Sequence, residues 1–127
     1  MQVADFPAIH TISNAVTLEA WCLAYSFYPN PGSVNSILRK NLGAGAENFF
    51  LRVRNTDGPR LVEMGLGSQL GALQAPAEIK PNQWYHLAGT YDGSTLTVYL
   101  NGVKIKSQPR AHSRVLGSGG VIWRGCG

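Results

Sequence analysis

The stretch WYHLAGTYDGSTLTVYLNGVKI, residues 84–105, decides the fold of this chain. Apolar and polar residues alternate over 95–100, which is the period-two pattern of a strand with one buried face. Asn101-Gly102 follows, and this dipeptide is the strongest short signal for a two-residue hairpin because both residues accept a positive φ. A second turn signal, Asp-Gly at 92–93, lies just upstream. The stretch therefore predicts three consecutive antiparallel strands.

The turn at Asn101-Gly102 also predicts a register for the last two of these strands. Reflection about the turn gives the pairs Leu100–Val103, Tyr99–Lys104 and Val98–Ile105. Because side chains alternate between the two faces of a strand, the apolar members then line one face. The polar members, including Lys106, are expected on the opposite face.

The rest of the chain repeats short apolar or alternating runs between turn residues, with no sustained helical period. These runs predict strands at 16–25, 34–39, 48–55, 60–66, 83–91, 95–101, 102–107 and 120–124. Turns are predicted at 29–32, 41–48, 56–59, 75–82 and 92–94, and the Gly-rich stretches 43–45 and 65–71 are predicted to be loop tips. Strands at this spacing indicate an all-β sandwich or barrel.

Composition excludes several classes of protein. The chain has 127 residues, the size of one domain, and its 44% hydrophobic and 14% charged residues exclude a disordered chain. No apolar run approaches the roughly 18 residues of a membrane span, and residues 1–10 lack the regions of a signal peptide. Residues 104–127 hold five basic and no acidic residues, so the net charge of +4 belongs to this tail. A nucleic-acid-binding surface is therefore not predicted.

The block 84–105 resembles the signature of the laminin-G-like, concanavalin A-like jelly-roll superfamily, W-x-H-[VL]-A-x-[TV]-Y-D-G followed by an alternating strand and N-G. VADFPAIHTISNAVTLEAW (3–21) is similar to the family's opening, and ILRKN (37–41) and NFFLRVRN (48–55) resemble two of its strands. The resemblance implies an all-β fold, an antiparallel two-sheet jelly-roll sandwich. Its body is expected over 1–107, followed over 108–127 by a basic, Gly-rich tail with a partial last strand at 120–124.

Both ends depart from the family pattern. Only residues 1–3 stand where the family's first strand ends, and GGVIWRGCG (119–127) corresponds to the beginning of its closing segment. In such sandwiches the two termini supply neighbouring strands. We therefore expect a fragment with an exposed sheet edge, which is a route to a homodimer or to aggregation.

The resemblance implies a non-catalytic recognition module that binds a glycan or a cell-surface partner, as part of a larger secreted or cell-surface protein. Two alternatives stay open: a glucanase or lyase on the same sandwich, and a structural spacer without a ligand. A glycosidase needs two carboxylates at the scissile bond, and no two acidic residues lie at alternate positions of one strand. A His–Tyr–Arg cluster would also favour the enzymatic alternative, and Arg52, Arg54, His86 and Tyr99 are the residues that could converge to form one.

Aromatic residues are the candidates for sugar binding, because sugar rings stack on exposed aromatic faces. Trp21 and Trp84 match core positions of the family and are expected to pack inside, and His86 is expected to be a structural core histidine. Tyr28 and Tyr99 are the predicted carbohydrate-binding residues. Tyr25 and Phe27, beside Tyr28, are further exposed candidates.

Two further expectations concern metal and cysteine chemistry. Laminin-G-like domains often hold Ca²⁺ through loop oxygens, and Asp5 is the best candidate ligand, with Asp57 and Asp92 in other turns. Cys22 and Cys126 either form one disulfide or remain separate, with Cys22 as a buried thiol; the sequence leaves both readings open.

Overall fold

The computed structural model describes residues 2–3, 15–43, 46–110 and 120–123. Within these ranges the chain forms strands and one helical turn, in the following order. The elements are β1 Gln2–Val3, β2 Val16–Leu23, β3 Val34–Gly43, β4 Ala46–Arg54, β5 Arg60–Leu66, α1 Gly67–Leu70, β6 Ala72–Ala77, β7 Trp84–Tyr91, β8 Thr95–Leu100, β9 Val103–Pro109 and β10 Gly120–Trp123.

The strands form two antiparallel sheets. One sheet has the order β1-β10-β3-β4-β5-β6 and the other the order β2-β7-β8-β9. Buried apolar residues of both sheets form one common core. The all-β, two-sheet sandwich expected from the sequence is thus confirmed.

The core arises from alternation along each strand. In β2 the even-numbered residues Leu18, Ala20 and Cys22 are buried, and the odd-numbered ones lie on the outer face. The same alternation turns Leu51, Val53, Val62, Met64, Leu73, Leu87, Leu96 and Val98 inward from the other strands. At Gly89 of β7 the two sheets approach so closely that a Cβ would collide with the side chain of Met64. The sandwich is therefore closed over a densely packed interior.

The hairpin at Asn101-Gly102 forms as predicted, with φ of 50° and 79° at its two residues. Leu100 pairs with Val103 and Tyr99 with Lys104, again as predicted. Beyond them a register shift makes Val98 pair with Lys106, so the expected pair with Ile105 is wrong. A bulge adds one residue to one strand and thereby exchanges the faces of all residues that follow.

Lys106 consequently lies on the inner side of β9 and not on the outer face. Its Nζ donates a hydrogen bond of 2.8 Å to the backbone carbonyl of Gln74 in β6. Arg110, just after β9, reaches the carbonyl of Ala72 at 3.5 Å. The basic residues of this end thus join the edges of the two sheets.

Strand β6 was not predicted, because part of it carries turn residues. The turn expected at 75–82 begins inside the strand, which contains Pro76. Proline is tolerated there because β6 is an edge strand of its sheet and needs no backbone donor on the free side. The stretch 65–71, expected to be a loop tip, holds the end of β5 and the single turn α1.

The two ends of the chain supply neighbouring strands, as the family resemblance implies. β1 pairs with β10, and β10 pairs with β3, so the partial strand expected at 120–124 is a member of the six-stranded sheet over Gly120–Trp123.

Candidate functional site

The outer face of the four-stranded sheet carries an exposed aromatic cluster. Trp21 of β2 is 65% exposed and Trp84 of β7 is 61% exposed, so the expectation that both pack inside the core is wrong. The reason is strand phase: Trp21 alternates with the buried Ala20 and Cys22 and shares the face of Glu19. The alternation is visible in the sequence and indicates an outward position for Trp21, although the residue matches a core position of the family.

The two tryptophans border a shallow, open depression. It is lined by Trp21, Trp84, His86, Asn101 and Gly102 and has a volume of about 510 Å³. Trp21 pairs with His86 across β2 and β7, and their rings lie 5.1 Å apart at an angle of 52°. The depression is therefore lined by two large apolar rings and by polar groups.

The hairpin turn between β8 and β9 is fastened to the floor of this depression. The backbone N–H of Asn101 donates to the carbonyl of His86 at 2.7 Å, and the N–H of His86 donates to Asn101 Oδ1 at 2.9 Å. Both turn residues have a positive φ, and the Asn101 side chain lies against the backbone of β7 at His86. The turn residues are thus held in place by the strand that carries Trp84 and His86.

His86 lies on the outer face and is half-buried, so the expected core position is wrong. Its Nε2 lies 3.4 Å from Oε2 of Glu19 on the neighbouring strand. Glu19 in turn lies in a row across the sheet with Ala88, Tyr99 and Lys104.

The structure separates the residues that the sequence singled out. Tyr99 is half-buried on the same outer face, one row from His86. Tyr28 is 65% exposed, but its backbone N–H donates to Oδ1 of Asn35 in β3, so it lies beside the other sheet. Phe27 is half-buried under the guanidinium of Arg60, 4.1 Å from its ring centroid. Asp5 lies outside the described residues.

Tyr25, a further aromatic candidate from the sequence, is the most exposed of these aromatics, at 75%. It follows the buried Ala24 at a bend, two residues after β2 ends. The N–H of Asn82 donates to the carbonyl of Ala24 at 2.6 Å, which holds this part of the chain beside the residues that precede β7.

A separate charged cluster occupies the outer face of the six-stranded sheet. Glu63 is fully buried and accepts hydrogen bonds of 2.6 Å from Nε of Arg52 and of Arg54, and one of 2.5 Å from Gln74. Burial by itself raises the pKa of Glu63, but the hydrogen bonds and charges of Arg54 and Arg52 outweigh it and hold the pKa below its ordinary value. The guanidinium of Arg52 also lies 3.8 Å from the centroid of the Phe50 ring.

The enzymatic alternative loses its residue cluster in this arrangement. Arg52 and Arg54 lie on the outer face of one sheet, whereas His86 and Tyr99 lie on the outer face of the other, with the core between them. Among the residues described, Glu19 is the one carboxylate on the outer face of β2, β7, β8 and β9. A pair of carboxylates facing a scissile bond is not formed by this part of the chain.

Calcium ligands are not gathered by the described residues. Oδ1 of Asp92 accepts from the N–H and hydroxyl of Ser94 and from the N–H of Thr95, at 2.8–3.0 Å, so it closes its own turn. These hydrogen bonds lower the pKa of Asp92. Asp57 is exposed in the loop between β4 and β5. In the ranges that the structure covers, no three His, Cys, Asp or Glu residues come together, and calcium binding stays a prediction.

Cys22 is buried in the core, and Cys126 lies outside the described residues, so the choice between a disulfide and separate cysteines stays open. The part of the chain that the structure describes contains no helix long and apolar enough to cross a membrane.

Comparison with known proteins identifies the family. The model of the concanavalin A-like lectin/glucanases superfamily, in its Laminin_G_3 form, matches residues 1–127. The chain therefore belongs to this superfamily, as the resemblance at 84–105 implied. No match was found among curated proteins.

Several solved structures share the fold. A heptameric SAP-like pentraxin from Limulus polyphemus is 17% identical with a TM-score of 0.65, covering 86% of this chain and 50% of that one. Domain 4 of AbnA, an extracellular arabinanase from Geobacillus stearothermophilus solved with arabinotriose, is 18% identical (TM-score 0.63, 94% and 54%). The CBM40 module of the Ruminococcus gnavus IT-sialidase, bound to α2,3-sialyllactose, is 15% identical (TM-score 0.63, 88% and 64%).

At these identities the likeness extends to the fold alone. This chain spans about half to two thirds of the length of these three structures.

Proposed function

We propose that this chain is a non-catalytic recognition module that binds carbohydrate through the outer face of its four-stranded sheet, as a unit of a larger secreted or cell-surface protein. The observation that carries the proposal is the pair of exposed indole rings, Trp21 and Trp84, at an open depression with polar groups. Two neighbours of the same fold were solved with glycans bound, which supports the class of ligand.

The two tryptophans suit the apolar side of a sugar. A pyranose or furanose ring presents C–H groups on its faces, and these pack against the electron-rich face of an aromatic ring. Trp21 and Trp84 are diagonal neighbours, because Trp21 pairs with His86 and Trp84 pairs with Leu23. A cluster of large exposed apolar side chains with a polar border is typical of a ligand-binding surface.

The polar groups beside the rings suit sugar hydroxyls, which both donate and accept hydrogen bonds. Glu19 supplies carboxylate acceptors, and His86 and Asn101 supply groups whose positions are fixed by the β8–β9 turn. In such sites a small number of polar groups in fixed positions orients the ligand. Tyr99, one row away on the same face, keeps its predicted role within this proposal.

The test is a titration of the purified chain with a panel of neutral and acidic oligosaccharides. Binding is measured by tryptophan fluorescence and by calorimetry. We expect Trp21→Ala and Trp84→Ala each to lower the affinity for the bound glycan by about tenfold, which corresponds to about 1.4 kcal/mol. The matched control is Trp21→Phe, which keeps an aromatic face and should retain most of the affinity. Calcium is varied in the same titrations, with and without a chelator, because its role in this chain is itself a proposal.

Thermal unfolding of the variants separates loss of binding from loss of fold. Both indoles are more than half exposed, so their removal should change the stability by no more than about 0.5 kcal/mol. Unchanged glycan affinity in both alanine variants would contradict the proposal. So would the absence of binding to the whole panel by the folded wild-type chain, which would favour a protein partner or a spacer role.

A further inference from the structure

The aromatic residues of the outer face continue beyond the depression. The outward positions at the end of β2 are Trp21 and Leu23, and Trp84 stands directly beside Leu23 as its cross-strand partner. Tyr25 lies at a bend two residues after β2 ends and is 75% exposed, so it adds a third exposed ring at this end of the sheet. Leu23 is half-buried between them.

The length of this row exceeds a single sugar ring. Tyr25 lies four positions after Trp21, so at about 3.3 Å per residue their backbones are at most roughly 13 Å apart. Trp84 pairs with Leu23, midway between them in the sequence, so a ligand in contact with all three rings is longer than one sugar unit. The hydrogen bond from Asn82 to the carbonyl of Ala24 holds the far end of the row against the β7 side of the sheet.

The charges along the row point to an uncharged ligand. Glu19 is the one acidic residue in the sequences of β2 and β7, and these two strands contain no lysine or arginine. An anionic glycan would bring its carboxylates or sulfates toward Glu19 without a cation from either strand. The nearest basic residue in the Glu19 row is Lys104, two strands away from β7.

We infer that the site takes a linear, uncharged glycan chain lying along β2 across Trp21, Trp84 and Tyr25, so that it binds internal stretches of a polysaccharide. This inference rests on the proposed glycan binding and adds to it the length and charge of the ligand. Tyr25 is then the residue that contacts the sugar unit farthest from the depression.

The experiment uses β-1,4-linked gluco-, xylo- and manno-oligosaccharides of one to six units, with oligogalacturonates as the charged series. Binding is followed by two-dimensional NMR of the whole chain, which also measures weak affinities. For the neutral series that binds, we expect the affinity to rise over the first three or so units and then to level off. Oligogalacturonates of the same length should bind more weakly.

Tyr28→Ala is the matched control for Tyr25→Ala. Both residues are tyrosines, both are at least 65% exposed, and they lie three positions apart, but Tyr28 is anchored beside β3 of the other sheet. Tyr25→Ala should weaken binding of the longest chain by about three- to tenfold, the range expected for one lost aromatic contact. It should leave the affinity for the shortest bound sugar unchanged, and Tyr28→Ala should change neither.

The outcomes distinguish this inference from the proposed function. Binding that is lost in Trp21→Ala but does not depend on chain length or on Tyr25 would overturn the inference and leave the proposed function standing. An equal or larger effect of Tyr28→Ala would also overturn it, because the chain would then take another path. Stronger binding of the galacturonates would overturn the charge argument, and no binding of any series would overturn both proposals.

Discussion

The charged cluster around Glu63 offers a direct test of what stabilises the six-stranded sheet. Glu63 is fully buried and binds two guanidinium groups, whose side chains are 15% and 28% exposed. Glu63→Gln keeps the size of the side chain but removes the charge, so Arg52 and Arg54 remain side by side without their common counter-ion. Removing one partner of a buried ion pair costs about 3–5 kcal/mol, and the residual exposure of both arginines places this case near 3 kcal/mol.

The assay is chemical and thermal unfolding at neutral pH. An unfolding entropy of about 2.1 cal/mol/K per residue over the 127 residues of the chain converts about 3 kcal/mol into a fall of about 11 °C in Tm. The control is Glu78→Gln, which removes an exposed carboxylate just after β6 and should change the stability by less than about 0.5 kcal/mol.

The pH dependence gives a second readout of the same cluster. Because the folded-state pKa of Glu63 lies below the unfolded one, its stabilisation is fully present above the unfolded pKa and is lost as the pH falls through the folded pKa. The difference in stability between wild type and Glu63→Gln should therefore shrink on acidification. The reasoning would be refuted if Glu63→Gln had the same Tm as Glu78→Gln. It would also be refuted if the stability difference between wild type and Glu63→Gln did not depend on pH.

Three further predictions concern local geometry. Gly89→Ala should lose about 1–3 kcal/mol in denaturant unfolding, because its Cβ would collide with Met64 across the core; unchanged stability would mean that the sheets part easily. Gly102→Ala, at φ 79°, should lose about 1 kcal/mol in the same assay although its Cβ meets no atom; a neutral result would show that the turn changes type. The carboxyl of Asp92 should titrate by NMR below an ordinary aspartate, since it accepts hydrogen bonds from Ser94, and Ser94→Ala should reduce this shift; an ordinary pKa would argue against the turn.

Much of the fold could be predicted because local patterns here agree with the tertiary structure. The alternation over 95–100 and the dipeptide Asn101-Gly102 are local signals, and the hairpin forms where they place it. β6 escaped prediction because Pro76 is a turn residue in isolation. A proline fits in a strand at the edge of a sheet, and the residues next to Pro76 in the sequence do not reveal that β6 is an edge strand.

The candidate site was only partly predictable. The sequence named exposed aromatics as the candidates for sugar binding, and one of them, Tyr99, lies on the face of the proposed site. Trp21 and Trp84 were expected in the interior because they match core positions of the family that the sequence resembles. Their phase with Glu19 and His86 indicated the opposite, and the structure bears out the phase.

The sequence by itself determined the fold class and the hairpin at Asn101-Gly102, because each follows from the preferences of neighbouring residues. The tertiary structure alone decided which residues share a face. Strand pairing placed Trp21 beside His86 and Trp84 beside Leu23, and it separated Arg52 from Tyr99 by a packed core. A bulge near Val98 turned Lys106 to the inner side. Contacts between residues distant in the chain depend on how strands pair and sheets pack, and no local pattern encodes them.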